Sequence, residues 1–150
     1  MKLPVAESPA GKWVDRIVSI AVIGLAAFFV VALAMVHPDA RGHGTHEQLG
    51  MPRCSWPVLY GRPCPTCGVT TAAAHLIHLH PWDALRTQPF GVFLALAGLA
   101  LAAAALGSLV RGQSFIARVA GMPYGTVFGI ALALLLASWG YVWLTWPSSG

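Results

Sequence analysis

The chain has 150 residues, of which 57% are hydrophobic and only fourteen are charged, for a formal net charge of +4. A soluble domain carries about 25% charged residues, so this chain has too few to cover a water-facing surface, and its apolar content excludes disorder. Three cysteines are too few for a disulfide scaffold. The class that remains is a small integral membrane protein.

The N-terminal tail, residues 1–16, holds Lys2, Lys12 and Arg16 and reads as cytoplasmic. Residues 17–36 follow without a charge, long enough at 1.5 Å per residue to cross a hydrocarbon core of about 30 Å. Trp13 precedes this span and His37-Pro38 stops it. Lys12, Arg16 and the sequence Ala32-Leu33-Ala34 also fit a signal peptide with its cleavage site. The apolar run exceeds the usual 7–15 residues of a signal core, so the span is read as a retained anchor.

Residues 37–88 form an extramembrane segment. It reads as loop to about Cys64, with an amphipathic helix expected over 65–79 and a second over 81–87, led by Pro81 with Asp83 in its first turn. At about 100° per residue, Cys67, Thr71, His75 and His78 share one arc of a helix too short to span. Such a helix lies on the membrane surface or dips in against the spans, with His75 and His78 solvated or bonded to headgroups.

A second span covers 89–110, a cytoplasmic loop 111–123 carries Arg111 and Arg118, and a third span covers 124–146, with Trp139, Tyr141, Trp143 and Trp146 crowding its end. Residues 147–150 form a C-terminal tail. The expected fold is therefore an all-α integral membrane protein with three transmembrane helices and one or two short amphipathic or re-entrant helices. Lys and Arg favour the tail and the 111–123 loop. This predicts a multi-pass protein of the cell inner membrane, with the Cys/His segment periplasmic or extracellular. No ionisable residue lies within the three spans, so no ion pathway or proton relay is read there. Gly125, Gly129, Ala133 and Ala137 recur every four residues, a stripe that admits a neighbouring helix, either the chain's own or one of a homo-oligomer or membrane partner.

All three cysteines and all six histidines lie between residues 37 and 80. Three chemistries fit. One is a structural disulfide from Cys54 to Cys64 or Cys67 in an oxidising compartment. The second is thiol–disulfide exchange, with Cys64 as nucleophile, Cys67 as resolving thiol and Cys54 as shuttle, because a helix start stabilises the thiolate of a Cys-x-x-Cys. The third is metal: Cys54, Cys64 and Cys67 supply three sulfurs for zinc, and His43 or His46 a fourth ligand. Gly68 follows Cys67 where covalent haem attachment needs histidine. Basic residues are scattered with no interleaved aromatics, so nucleic-acid binding has no support.

The run Cys54-x9-Cys64-Pro-Thr-Cys-Gly-Val-Thr-Thr-Ala, with Ala74-His-Leu-Ile-His, Trp82-Asp-Ala-Leu and Gln88-Pro-Phe-Gly, resembles a bacterial membrane family. It is catalogued as a domain of unknown function, number twenty-seven fifty-two. The likeness spans about Gly44 to Leu96; Thr71 stands where many members have Arg, and Gln88 where many have Asn. It implies a compact helical membrane domain with its cysteine motif at the membrane edge, and no known reaction. The Cys-x-x-Cys is also similar to that of quinone-linked oxidoreductases of the vitamin K epoxide reductase type, which use four helices and a second cysteine pair. Two readings of function follow. One is a membrane scaffold or interaction component with a disulfide- or metal-stabilised cap. The other is a membrane thiol oxidoreductase, with quinone as electron acceptor.

Overall fold

In the computed structural model residues 9–146 are described. The first eight residues of the expected N-terminal tail, Lys2 among them, and the expected tail 147–150 lie outside the described residues. The described chain is helical, without a strand. Three helices are long and apolar enough to cross a membrane: α1 (Pro9–Ala34), α5 (Pro89–Arg111) and α7 (Tyr124–Thr145). In hydrocarbon every backbone N–H and C=O must be satisfied within the chain, which a long helix does. Their outward side chains, such as Phe28, Leu106, Phe128 and Leu144, are exposed, as a lipid-facing surface requires.

The charged lead of α1 is helical as well, so α1 begins about two turns before the expected span. Asp15 explains part of this. Its carboxylate is buried and accepts from the Ser114 hydroxyl at 2.8 Å and from the Phe115 and Ile116 amides at 3.1 and 2.8 Å. Those amides are orphan donors at the start of α6 (Phe115–Ala120), which Ser114 also caps through the Ala117 amide. A short helix thus occupies the stretch expected as a plain loop over 111–123. At its other end α1 stops at Ala34, and the Val36 carbonyl accepts from His78 Nε2 at 2.9 Å.

The cap between α1 and α5 has more structure than expected. A single 3-10 turn covers Thr45–Leu49, followed by α2 (Ser55–Tyr60), α3 (Val69–Ile77) and α4 (Pro81–Thr87). The Trp56-Pro57 pair reads as loop in sequence, yet Pro57 sits in the first turn of α2, where its missing N–H has no intrahelical partner to lose. The helix expected over 65–79 is shorter: residues 65–68 form a turn, and α3 starts after Gly68, which stands in the left-handed region at φ 88°. Cys67 is therefore not on one helical face with Thr71, His75 and His78.

Nor does α3 lie on a surface with a solvated face. It packs against α1 and α5 and buries Thr71, Ala72 and Ala74. Two small clusters make this core: Leu33, Val36 and Ala74, and Ala72, Ala84 and Val92. Alanine at the contacts brings the helices close together, and Gly91 brings α5 closer still. A Cβ at that position would lie 2.9 Å from the Val69 carbonyl oxygen. The small-residue stripe of α7 is not used in this way. Gly125, Gly129, Ala133 and Ala137 are all exposed, and the two glycines face open space.

Candidate three-thiol site

Cys54, Cys64 and Cys67 meet at one point of the cap. Their Sγ atoms stand 3.5 Å apart (54 to 64), 3.2 Å (64 to 67) and 3.8 Å (67 to 54). All three are free thiols, so the bridge expected from Cys54 to Cys64 or Cys67 is not formed. Helix α2 makes the meeting possible. Cys54 is its N-cap residue, and Gly61, left-handed at φ 62°, ends it, so the chain turns back to Cys64 ten positions later. The Cys64–Cys67 turn is closed by the Cys67 amide on the Cys64 carbonyl at 3.1 Å, and the Cys64 amide donates to Cys67 Sγ at 3.3 Å.

The three thiols are not equivalent. Burial pushes the Cys64 thiol up, but hydrogen bonds shared with Thr66, Cys67 and Cys54 outweigh it and hold the group below its ordinary value. For Cys67, which is buried, desolvation and the hydrogen bond with Cys64 together push it well above that value.

The sulfurs line a cavity of about 550 Å³ that also touches Arg41, His43, His46 and Arg53. Neither histidine joins the thiols. His43 Nδ1 lies 3.0 Å from the Arg41 carbonyl, and its ring packs on Trp146 at 4.6 Å. His46 Nε2 lies 3.2 Å from the Pro52 carbonyl. Among the described residues the group close enough to share one metal ion is Cys54, Cys64 and Cys67. His75 and His78 stand elsewhere: His78 holds the end of α1, and His75 Nδ1 is buried without a hydrogen-bond partner. Burial holds His75 below its ordinary imidazole value.

Two polar networks fix the site; the sequence singles out Gln88 and Thr71 but not the contacts they make. The first is Gln88, fully buried between α4 and α5. Its Nε2 donates to the carbonyls of Pro65 and Cys67 at 3.2 and 3.3 Å, and its Oε1 accepts from the Ser138 hydroxyl of α7. Ser138 Oγ also accepts the Phe90 amide at 3.1 Å. The cysteine turn is thereby tied to two spanning helices. A lone amide just before Pro89 was the available signal, and its length alone could not reveal what it reaches.

The second network begins at Asp39, whose amide donates to the Thr45 hydroxyl at 3.0 Å; Thr45 in turn donates to Thr71 at 2.9 Å. Thr45 and Thr71 thus form a buried hydroxyl pair between the 3-10 turn and α3. Asp39 holds Arg41 with both carboxylate oxygens, at 3.0 and 2.7 Å, and accepts the Arg41 amide at 2.9 Å. The Arg41 hydrogen bonds draw the Asp39 pKa down to about 2.

A depressed acid stabilises the fold above its unfolded pKa, and that contribution is lost as pH falls through the folded value. With the Arg41 side chain 45% exposed, solvent screening reduces the effect to about 1 kcal/mol. The stability difference between the native chain and Asp39→Asn, followed by thermal unfolding in detergent, is expected to be constant above pH 5 and to vanish as pH falls from about 4 to about 2.

The fold and the cysteine cluster define a small multi-pass membrane protein with a three-thiol site in a helical cap packed on its spanning helices. Residues 54–102, from Cys54 through most of α5, match the family described as "Protein of unknown function (DUF2752)". No curated protein and no solved structure matches the chain.

Proposed function

We propose that the protein is a membrane scaffold or interaction component whose cap is stabilised by a soft metal ion, zinc foremost, held by Cys54, Cys64 and Cys67. The observation that carries this reading is the mutual approach of three sulfurs from two segments. Zinc–thiolate bonds of about 2.3 Å place tetrahedral sulfurs about 3.8 Å apart. The observed 3.2–3.8 Å separations are close to that edge. Thiolates select such ions over hard cations. A bound ion would cross-link the Cys54 segment to the Cys64–Cys67 turn and so hold the cap on α3 and α5. His43 and His46, engaged with backbone carbonyls, stand on the cavity wall rather than among the ligands. The basic residues of the tail and of the 111–123 loop support a cytoplasmic N-terminus and an outward-facing cap in a cell inner membrane. The exposed stripe Gly125, Gly129, Ala133 and Ala137 supports contact with a second copy or a membrane partner through α7.

Elemental analysis of the protein purified in mild detergent tests the reading. About one zinc per chain is expected, with all three thiols protected from alkylation until a chelator is added. Cys54→Ser, Cys64→Ser and Cys67→Ser should each lose the metal, while His43→Ala and His46→Ala should retain it. A metal-free protein with readily alkylated thiols would sink the proposal.

The asymmetry of Cys64 and Cys67 favours one second reading, a thiol oxidoreductase. Cys64 is the accessible thiol with the lowered pKa, and Cys67 is its buried neighbour. Oxidation of the pair to a disulfide releases two electrons and two protons, which a membrane quinone would take up to become quinol. Reversible Cys64–Cys67 oxidation with a quinone-dependent rate, in protein shown to lack metal, would favour this reading over the first.

A further inference from the structure

We infer that the cap is seated in the headgroup–acyl boundary of the bilayer by two apolar edges, helix α2 and the corner Leu79–Trp82, instead of standing in bulk water. On α2, Val58, Leu59 and Tyr60 are 74, 70 and 67% exposed, and Trp56 is exposed beside them. A six-residue helix that turns its large apolar side chains outward gains little from the chain it belongs to. At the corner, Leu79 and Trp82 are 85 and 74% exposed, and Leu79 holds a left-handed backbone at φ 62°, unfavourable for a leucine. Among the described residues nothing covers either edge.

Both edges are level with the ends of spanning helices. The Trp56 ring meets Trp139 of α7 edge-on at 6.4 Å and Tyr60 at 5.6 Å. The Trp139 indole N–H donates to the Pro63 carbonyl at 3.1 Å, and the Arg62 guanidinium lies 5.0 Å from the ring centre of Trp143. Helix α2 is thereby tied sideways to the last two turns of α7, where aromatic rings with one polar atom settle at headgroup depth. The corner is tied to α1: His78, next to Leu79, bonds the Val36 carbonyl just past the helix end.

Two separate apolar edges at the depth of two different spanning helices suit one planar layer better than a single protein partner. Tryptophan, tyrosine and a nearby arginine are the side chains an interfacial helix presents. Pro57 and Val58 also line the cysteine cavity. The three thiols therefore lie beside the headgroup layer, in reach of membrane-borne molecules.

The test uses the full chain, one copy per nanodisc of phosphatidylethanolamine and phosphatidylglycerol. Hydroxyl-radical footprinting read by mass spectrometry is expected to modify Trp56, Tyr60 and Trp82 roughly tenfold more slowly than the same side chains in free peptides. A diazirine-bearing phospholipid in the same discs should label α2 and the Leu79–Trp82 peptide. Modification at close to the free-peptide rate would overturn the inference and place the cap in water. Protection without lipid labelling would overturn it too, as would protection that needs two copies per disc. Those outcomes assign the edges to protein contact.

Discussion

Gly68→Ala is expected to cost about 3 kcal/mol and to leave the proposed metal site largely empty. Gly68 joins the cysteine turn to α3 at φ 88°. A left-handed conformation costs an L-residue about 1–2 kcal/mol by itself. The added Cβ would also stand 2.8 Å from the Gly42 carbonyl oxygen, and backbone cannot swing aside as a flexible side chain can. Relief requires that the 37–45 loop or the cysteine turn move, and movement of the turn displaces Cys67 from Cys54 and Cys64. Gly50→Ala separates the two contributions. Gly50 has a similar φ of 79° with nothing within 4 Å of its would-be Cβ, so it should lose only about 1 kcal/mol and keep its metal. Thermal unfolding in detergent, with metal content measured on the same samples, gives both readouts. Equal losses for the two variants would mean that the crowding at Gly42 does not matter.

The three spans are legible because hydrocarbon tolerates neither charge nor unpaired backbone, so an uncharged run of the right length carries its own structural meaning. The α4–α5 junction is legible for a similar reason, since Pro81 and Pro89 punctuate it. The Cys64-Pro-Thr-Cys67 turn is visible as a motif. The arrival of Cys54 beside it depends on α2 reversing the chain between Ser55 and Gly61, and a Trp-Pro pair reads as loop. The surroundings of the histidines are not legible, because spacing cannot tell a free imidazole from one engaged with a carbonyl, as His43, His46 and His78 are. Asp15 is hardest to find. It looks like one more charge in the lead of α1, yet its partners lie 99 to 101 positions away at the start of α6. Polar groups that close long-range contacts leave no local periodicity. The only hint is a polar residue where the surroundings are apolar, as with Ser138 within the third span.

Gln88→Leu is expected to destabilise the protein by about 2–4 kcal/mol and to weaken the proposed metal binding by about tenfold to a hundredfold. Leucine fills a similar volume, so the loss would come from hydrogen bonds rather than from a cavity. The substitution leaves the Pro65 and Cys67 carbonyls without the amide that reaches them and deprives the Ser138 hydroxyl of its acceptor. Buried groups left in this way bear their full desolvation cost. Ser138→Ala leaves the cysteine-turn carbonyls paired but takes the donor from Gln88 Oε1 and the acceptor from the Phe90 amide, so it should cost about 1–2 kcal/mol and leave affinity at the proposed metal site nearly unchanged. Gln88→Asn is the sharper comparison, because it keeps the amide and shortens its reach by one methylene. From the backbone position of Gln88, the shorter side chain cannot span the same distance to both the cysteine turn and α7, so Gln88→Asn should fall between the other two variants. Unfolding and competition with a zinc chelator measure the two effects separately. Loss of stability without loss of metal affinity would show that Gln88 joins helices and does not position the cysteines. Loss of both, greater for Gln88→Leu than for Gln88→Asn and with metal affinity spared in Ser138→Ala, would show that the Gln88 amide holds the thiol site in place.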